Sequence, residues 1–182
     1  MEPTVLAVVG GKDSGKTATI EAITKELTKR GYKVAAVKHI PEKDFTIDTK
    51  NKDTWKFTQS GAKTVVSIAL GEIATIEKTD TGNLSLKEIL KRCKGNDIVI
   101  IEGFRQLLGK NVKVPKIVAV KSAEEALEAS KNFKPIIAFT GPYPAEKLAL
   151  NVPYVDVLRE SAKIADVVES VIRKRGGAGN AV

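Results

Sequence analysis

The sequence predicts an α/β fold with a mostly parallel sheet. Short, β-branched apolar runs alternate with segments of helical periodicity, and a glycine-rich turn joins the first run to the first helix. The runs are apolar throughout, as strands covered on both faces require. At 182 residues the chain is long enough to bury one substantial core. We expect a single domain over residues 1–175 and a flexible tail over 176–182.

Residues 4–10, TVLAVVG, read as the first buried strand, and Ile20, Ile23 and Leu27 follow at helical spacing before Gly31 ends the helix. KVAAVKH (33–39) is a second strand. Beyond Pro41 a polar stretch leads to Asp53, expected to cap a short helix containing Trp55 and Phe57. KTVVSIALGEIATIEK (63–78) reads as two strands joined at Leu70-Gly71-Glu72, a β-ribbon extending from the sheet. Ser85-x-x-Glu88 is a capping box, and behind it Leu86, Ile89, Leu90 and Cys93 share one helical face. Cys93 is thereby a core residue rather than a nucleophile. DIVIIEGF (97–104), KIVAV (116–120) and PIIAF (135–139) are further strands, and Ser122-x-x-Glu125 caps the helix between the last two. The final helix is expected to bury Leu158, Ala162, Ala165, Val168 and Ile172.

Composition narrows the function classes. A net charge of +8 points to anionic ligands, but Lys and Arg are scattered and only nine aromatics are present, too few for a nucleic-acid stacking groove. No apolar run reaches bilayer length and no secretory leader is recognisable, so we expect a cytoplasmic protein without membrane or nucleic-acid partners. One cysteine and one histidine do not make a metallochaperone's ligand cluster.

The chemistry starts at Gly10-x-x-x-x-Gly15-Lys16-Thr17, a complete phosphate-loop pattern with a strand before it and a helix after it. Glycines let backbone N–H groups face phosphate oxygens, and the helix N-terminus adds a favourable partial charge. Gly10, Gly11, Lys12, Asp13, Ser14, Gly15, Lys16, Thr17 and Ala18 are the candidate nucleotide-binding set. In it Lys16 reaches the β- and γ-phosphates, and the Thr17 hydroxyl ligates Mg²⁺. Lys12 is read equally as a phosphate contact or as a solvated loop lysine.

The acidic partner is chosen by geometry. Asp97 and Glu102 share a strand segment, and five residues at roughly 3.3 Å each set them about 16 Å apart. Only Glu102 stands at the carboxyl end, where the phosphate loop opens and where α/β sheets bind ligands. Glu102 is the candidate for the metal or its water, and Asp97 a strand-entry turn residue. The second strand delivers Lys38 and His39 to the same end. Lys38 either neutralises a terminal phosphate or is an exposed strand-end lysine; His39 has a structural reading. Asp48, in the loop beyond, is a candidate second metal ligand or a solvated acid. Lys16, Lys38 and Glu102 are thus the candidate catalytic residues, and Thr17, Glu102 and Asp48 the candidate metal ligands.

Three segments taken together, GGKDSGKT, VAAVKHIPEKDFTIDTKNKDTWKFTQSGAKTVV and DIVIIEGFR, resemble the molybdopterin-guanine dinucleotide biosynthesis protein B (MobB) family. The most specific features are Lys38-His39, Phe45-x-x-Asp48, Lys52-Asp53-Thr54, Gly61-Ala62 and Glu102-Gly103-Phe104-Arg105. The resemblance implies a phosphate-loop NTPase fold in three layers, and a GTP- and Mg²⁺-binding, weakly hydrolysing accessory protein of molybdenum cofactor maturation. It also implies a MobA-type guanylyltransferase as partner and a homodimer joined at the 63–78 ribbon; Arg105 and the basic surface either contact the pterin phosphate of molybdopterin or face solvent. Three departures stand out: Pro41-Glu42-Lys43 replaces the extra histidines of many relatives, Asn51 stands where a glycine is common, and no Asn-Lys-x-Asp guanine-reading motif occurs. The loop FTGP (139–142) is where the base is expected. The alternative function is a small-molecule kinase or ATP-dependent ligase of the dethiobiotin-synthetase type, although no arginine-rich lid insertion is recognisable.

Overall fold

The computed structural model describes residues 2–142 and 151–178. By internal contact the chain divides into two compact units, Met1–His39 with Leu86–Val182, and Ile40–Ser85.

The larger unit holds a six-stranded sheet in the order β2-β5-β1-β6-β7-β8, with every pairing parallel. Its strands are β1 (Thr4–Gly10), β2 (Val34–Lys38), β5 (Ile98–Glu102), β6 (Lys116–Ala119), β7 (Ile136–Thr140) and β8 (Tyr154–Val155). Each of β1, β5 and β6 is buried on both sides, which accounts for their unbroken apolar sequences. Helices α1 (Lys16–Lys29) and α6 (Ser161–Ala178) cover one face, burying Leu6, Val8, Ile98, Ile100 and Ala138 beneath Ile23, Leu27, Ile164 and Val168. The intervening strand residues Val5, Ala7, Val9, Val99 and Ile101 are buried on the other side. With them go Ile89 of α3 (Leu86–Arg92) and Ala126 and Ala129 of α5 (Ala123–Asn132). The result is the expected three-layer fold.

Local signals explain most boundaries. Helix α1 closes at Gly31, whose φ of 88° suits a residue without Cβ, with Tyr32 N–H donating to Leu27 O at 3.0 Å. Ser122 Oγ accepts from Glu125 N–H at 3.2 Å, and Glu125 Oε2 accepts in return from Lys121 N–H at 2.8 Å. Two elements were not anticipated: β8, and the single turn α4 (Arg105–Leu108) directly after the acidic strand end. The last helix also differs from expectation. Leu158 precedes it and is 84% exposed, Ala162 faces solvent, and Ile164, not anticipated, is fully buried. Its backbone runs on to Ala178, through glycines expected to fray.

The smaller unit contains α2 (Asp53–Gln59) and an antiparallel ribbon of β3 (Thr64–Ile68) and β4 (Ile73–Glu77), a sheet of its own. Ala69 N–H donates to Glu72 O at 2.9 Å across the tight connection. Val65 is buried, whereas Val66, Ile68, Leu70 and Ile73 are exposed. Asp53 is not the cap of α2. Lys52 holds that position, and Asp53 lies in the first turn, where its carboxylate favours the helix N-terminus and pairs with Lys56 Nζ at 3.2 Å.

Candidate functional site: a phosphate loop and an acidic turn

The loop from Gly10 to Gly15 leaves the centre of the sheet and turns sharply. A Cβ at Gly10 would overlap the Ala119 carbonyl oxygen of β6 and stand 2.6 Å from Ser14 Oγ, so only glycine fits. Asp13 and Gly15 have φ of 56° and 92°, and these left-handed residues curl successive N–H groups towards one side. Buried Ser14 ties the curl by donating from Oγ to Gly11 O at 3.0 Å.

The first intrahelical bond here runs from Thr19 N–H to Gly15 O at 3.0 Å. The N–H groups of Lys16, Thr17 and Ala18 precede it and are directed out of the helix end with its positive dipole. Lys16 Nζ folds back over the loop and donates to Gly11 O at 2.5 Å, which holds an ammonium above the curl. Thr17 is exposed on the first turn, as are Lys12 and Asp13 on the loop. A concave row of N–H donors with an ammonium above it is suited to the oxygen-rich tail of a nucleotide.

The acidic side is built from three adjacent strands. Glu102 lies in register with Val8 of β1 and with Lys38 of β2, at the carboxyl end of the sheet. Lys38 Nζ approaches Glu102 Oε2 at 3.6 Å, bringing together the two residues expected there. The lysine is the exposed partner and Glu102 the more buried one. Past Glu102 the backbone makes a left-handed turn, with φ of 88° at Gly103 and 48° at Phe104. His39 explains the glycine: a Cβ at Gly103 would come within 3.0 Å of His39 Cβ. The His39 and Phe104 rings lie 4.3 Å apart, so the lone histidine braces the turn, as its structural reading anticipated. Asp97 bears out its expected role at the other strand end, where Oδ2 accepts from Lys33 N–H at 2.7 Å.

Thr17 and Glu102 offer a hydroxyl and a carboxylate, hard oxygen donors of the kind Mg²⁺ uses when phosphates and water supply the remainder. That donor set fits the ion. Among the described residues no three His, Cys, Asp or Glu side chains gather into a protein-only metal cage. Asp48 belongs to the smaller unit, where Oδ1 accepts from Thr49 N–H at 2.9 Å and from Thr54 Oγ1 at 2.8 Å. Its Oδ2 is shielded from solvent and has no hydrogen-bond partner among the described residues.

The loop ending β7 borders the phosphate loop: Gly141 Cα and Pro142 Cδ lie 3.7 and 3.9 Å from the position of a Cβ at Gly15. Gly141 is required here, since a Cβ would collide with Val120 O. Thr140 beside it is fully buried, and its Oγ1 has no hydrogen-bond partner among the described residues. The wall that Ala119 and Val120 form against both glycines was not foreseen, because it depends on β6 being the neighbour of β1.

The family model for molybdopterin guanine dinucleotide synthesis protein B matches residues 5–141. A putative molybdopterin-guanine dinucleotide biosynthesis adapter protein of Methanocaldococcus jannaschii is 40% identical over 124 residues, 66% of this chain. The match spans 48% of that relative, so the chain corresponds to about half its length. The adapter protein of Haemophilus influenzae is 26% identical over 96% of this chain and 92% of its own. A crystal structure of molybdopterin-guanine biosynthesis protein B superposes with a TM-score of 0.71 at 30% identity, covering 93% of this chain and 99% of that one.

Proposed function

This chain belongs to the molybdopterin guanine dinucleotide synthesis protein B family, and on that premise we propose that it binds GTP with Mg²⁺ and supports attachment of GMP to molybdopterin. The observation that carries the reading is the phosphate loop, with its outward N–H groups and Lys16 ammonium, at the sheet end where Glu102 stands in register with β1. Lys16 neutralises the phosphates, Thr17 and Glu102 hold the metal or its water, and Lys38 adds a second positive charge. Gly141 and Pro142 border the base. Hydrolysis is slow because no described side chain is placed as a strong general base.

The partner is a MobA-type guanylyltransferase, and the protein acts as a homodimer. The exposed apolar ribbon supports the dimer, since two tightly joined strands with Ile68, Leu70 and Ile73 in solvent gain from coverage by a second copy. The relatives do not favour the kinase or ATP-dependent ligase alternative. Among the described residues no helix is long and apolar enough to cross a membrane.

The test is reconstitution: the guanylyltransferase with molybdopterin and limiting GTP, with this protein or its Lys16→Ala variant. The expected result is faster dinucleotide formation with the unmodified protein and none of that gain with Lys16→Ala. Equal stimulation by both proteins would remove nucleotide binding from the mechanism.

A further inference from the structure

We propose that the cavity between the phosphate loop and α5 receives a 2-amino-4-oxopyrimidine ring, the edge that guanine and pterin share. The inference rests on the proposed function for its ring chemistry, because a molybdopterin guanine dinucleotide carries that edge at both ends.

The cavity encloses about 210 Å³ and is lined by Gly10, Gly11, Arg105, Glu125, Glu128 and Asn132, with Phe133 and the end of β6 at its apolar side. It lies wholly within the larger unit. Pockets for drug-sized ligands run to about 300–1,000 Å³. This one is therefore matched in size to a single flat ring system rather than to a whole triphosphate nucleotide.

Its polar groups select the ligand class. Glu125, Glu128 and Asn132 are spaced by three and four residues on α5, so two carboxylates and an amide share one helical face. Two carboxylates repel phosphate and favour a ligand that presents donors. A 2-amino-4-oxopyrimidine offers a ring N–H and an exocyclic N–H side by side, the fork that a carboxylate accepts from arginine. Its carbonyl then faces an amide such as that of Asn132. Glu125 is committed to the start of α5 through its bond from Lys121 N–H, so Glu128, which is exposed, is the carboxylate that takes the ring edge.

Arg105 completes the site. Its guanidinium carbon lies 5.2 Å from the centre of the Phe133 ring, and Phe133 is itself buried. A planar cation anchored over an aromatic side chain offers a surface on which a heterocycle can stack. Arg105 stands three residues beyond Glu102 in the same turn, and the opposite wall is the phosphate loop itself. A ring bound here touches both halves of the nucleotide site without occupying it.

The experiment titrates the full chain with pterin, with 9-methylguanine, and with lumazine, in which an oxo group replaces the 2-amino group. Pterin or 9-methylguanine is expected to bind, lumazine about tenfold more weakly or less, and Glu128→Gln to weaken the preferred ring by a similar factor. Tighter binding of pterin identifies the cofactor half of the dinucleotide as the occupant, and of 9-methylguanine its guanine half, distinct from the base of the GTP held on the phosphate loop. Saturating GTP with Mg²⁺ should leave bound pterin in place. Equal affinity for lumazine, displacement of pterin by GTP, or unchanged binding in Glu128→Gln would overturn the proposal. Failure of both rings to bind a protein that still binds GTP would overturn it while leaving the nucleotide reading intact. Binding of a ring by a protein that binds no GTP would do the reverse.

Discussion

Replacing Gly10 by alanine probes the packing that holds the phosphate loop against the sheet. The added Cβ would overlap the main-chain oxygen of Ala119 and sit 2.6 Å from Ser14 Oγ. Neither neighbour yields cheaply. Ala119 is the residue of β6 paired with Gly10, in the middle of the sheet, and fully buried Ser14 is tied to Gly11 O. Ordinary non-bonded contacts lie near 3.5 Å, so loop and strand must separate by about 1 Å. Overpacking of this kind costs about 1–3 kcal/mol, and a backbone obstruction belongs at the upper end. About 3 kcal/mol corresponds to a loss of roughly 6–12 °C in Tm for a chain of this size. Gly11→Ala is the matched control: no atom lies within 4 Å of its Cβ, so its stability should stay within about 0.5 kcal/mol of the parent. Thermal unfolding of the three proteins reads both effects. Unchanged Tm in Gly10→Ala, or equal losses in the two variants, would refute the packing argument.

Further consequences can be checked separately. Glu169 accepts from Tyr32 Oη and Arg30 Nη1, each at 2.9 Å, and from Arg173 Nη2 at 3.0 Å. The Tyr32 hydrogen bond, then that of Arg173, holds its pKa below the ordinary carboxylate value. A depressed folded pKa means that the unfolded chain binds the proton first, so this stability is present above about pH 4.3 and is lost as pH falls through the lowered value. Glu169→Gln should flatten the acid limb of the stability curve, and parallel limbs would count against the network. Burial pushes the Cys93 thiol up, so a thiol-reactive dye should label the native protein slowly and the unfolded protein at once; fast native labelling would contradict its core placement. Ile68→Lys with Leu70→Lys should convert a dimer to monomers in sedimentation, and a dimer that survives both would put the interface elsewhere.

Where the sequence was legible, local physics set the outcome. The first strand, its loop and α1 follow from apolar β-branched residues, a glycine turn and the stop at Gly31. The Ser122 cap and the ribbon were equally local. Glu102 was separable from Asp97 by strand rise alone. What escaped depended on contacts between distant segments. That β5 inserts between β2 and β1 cannot be read from spacing, so the Lys38–Glu102 pair and the Ala119 wall emerged only with the fold. Lys116 is a case in point: it opens the KIVAV strand and is fully buried, with Nζ donating to Asn111 O and Lys134 O at 2.6 Å each, partners that spacing does not reveal, and burial lowers its pKa. In the last helix Ala165 and Val168 are buried and Ile172 packs against the core as the periodicity predicts, whereas Leu158 precedes the helix, Ala162 faces solvent, and Lys52 rather than Asp53 caps α2.

The most direct test is calorimetric titration of the protein with GTP, with and without Mg²⁺, beside Lys16→Ala and Glu102→Gln. Mg²⁺-dependent binding is expected, abolished in Lys16→Ala and with the magnesium dependence reduced in Glu102→Gln. GTP affinity that is the same in all three proteins would contradict a nucleotide site at the carboxyl end of this sheet.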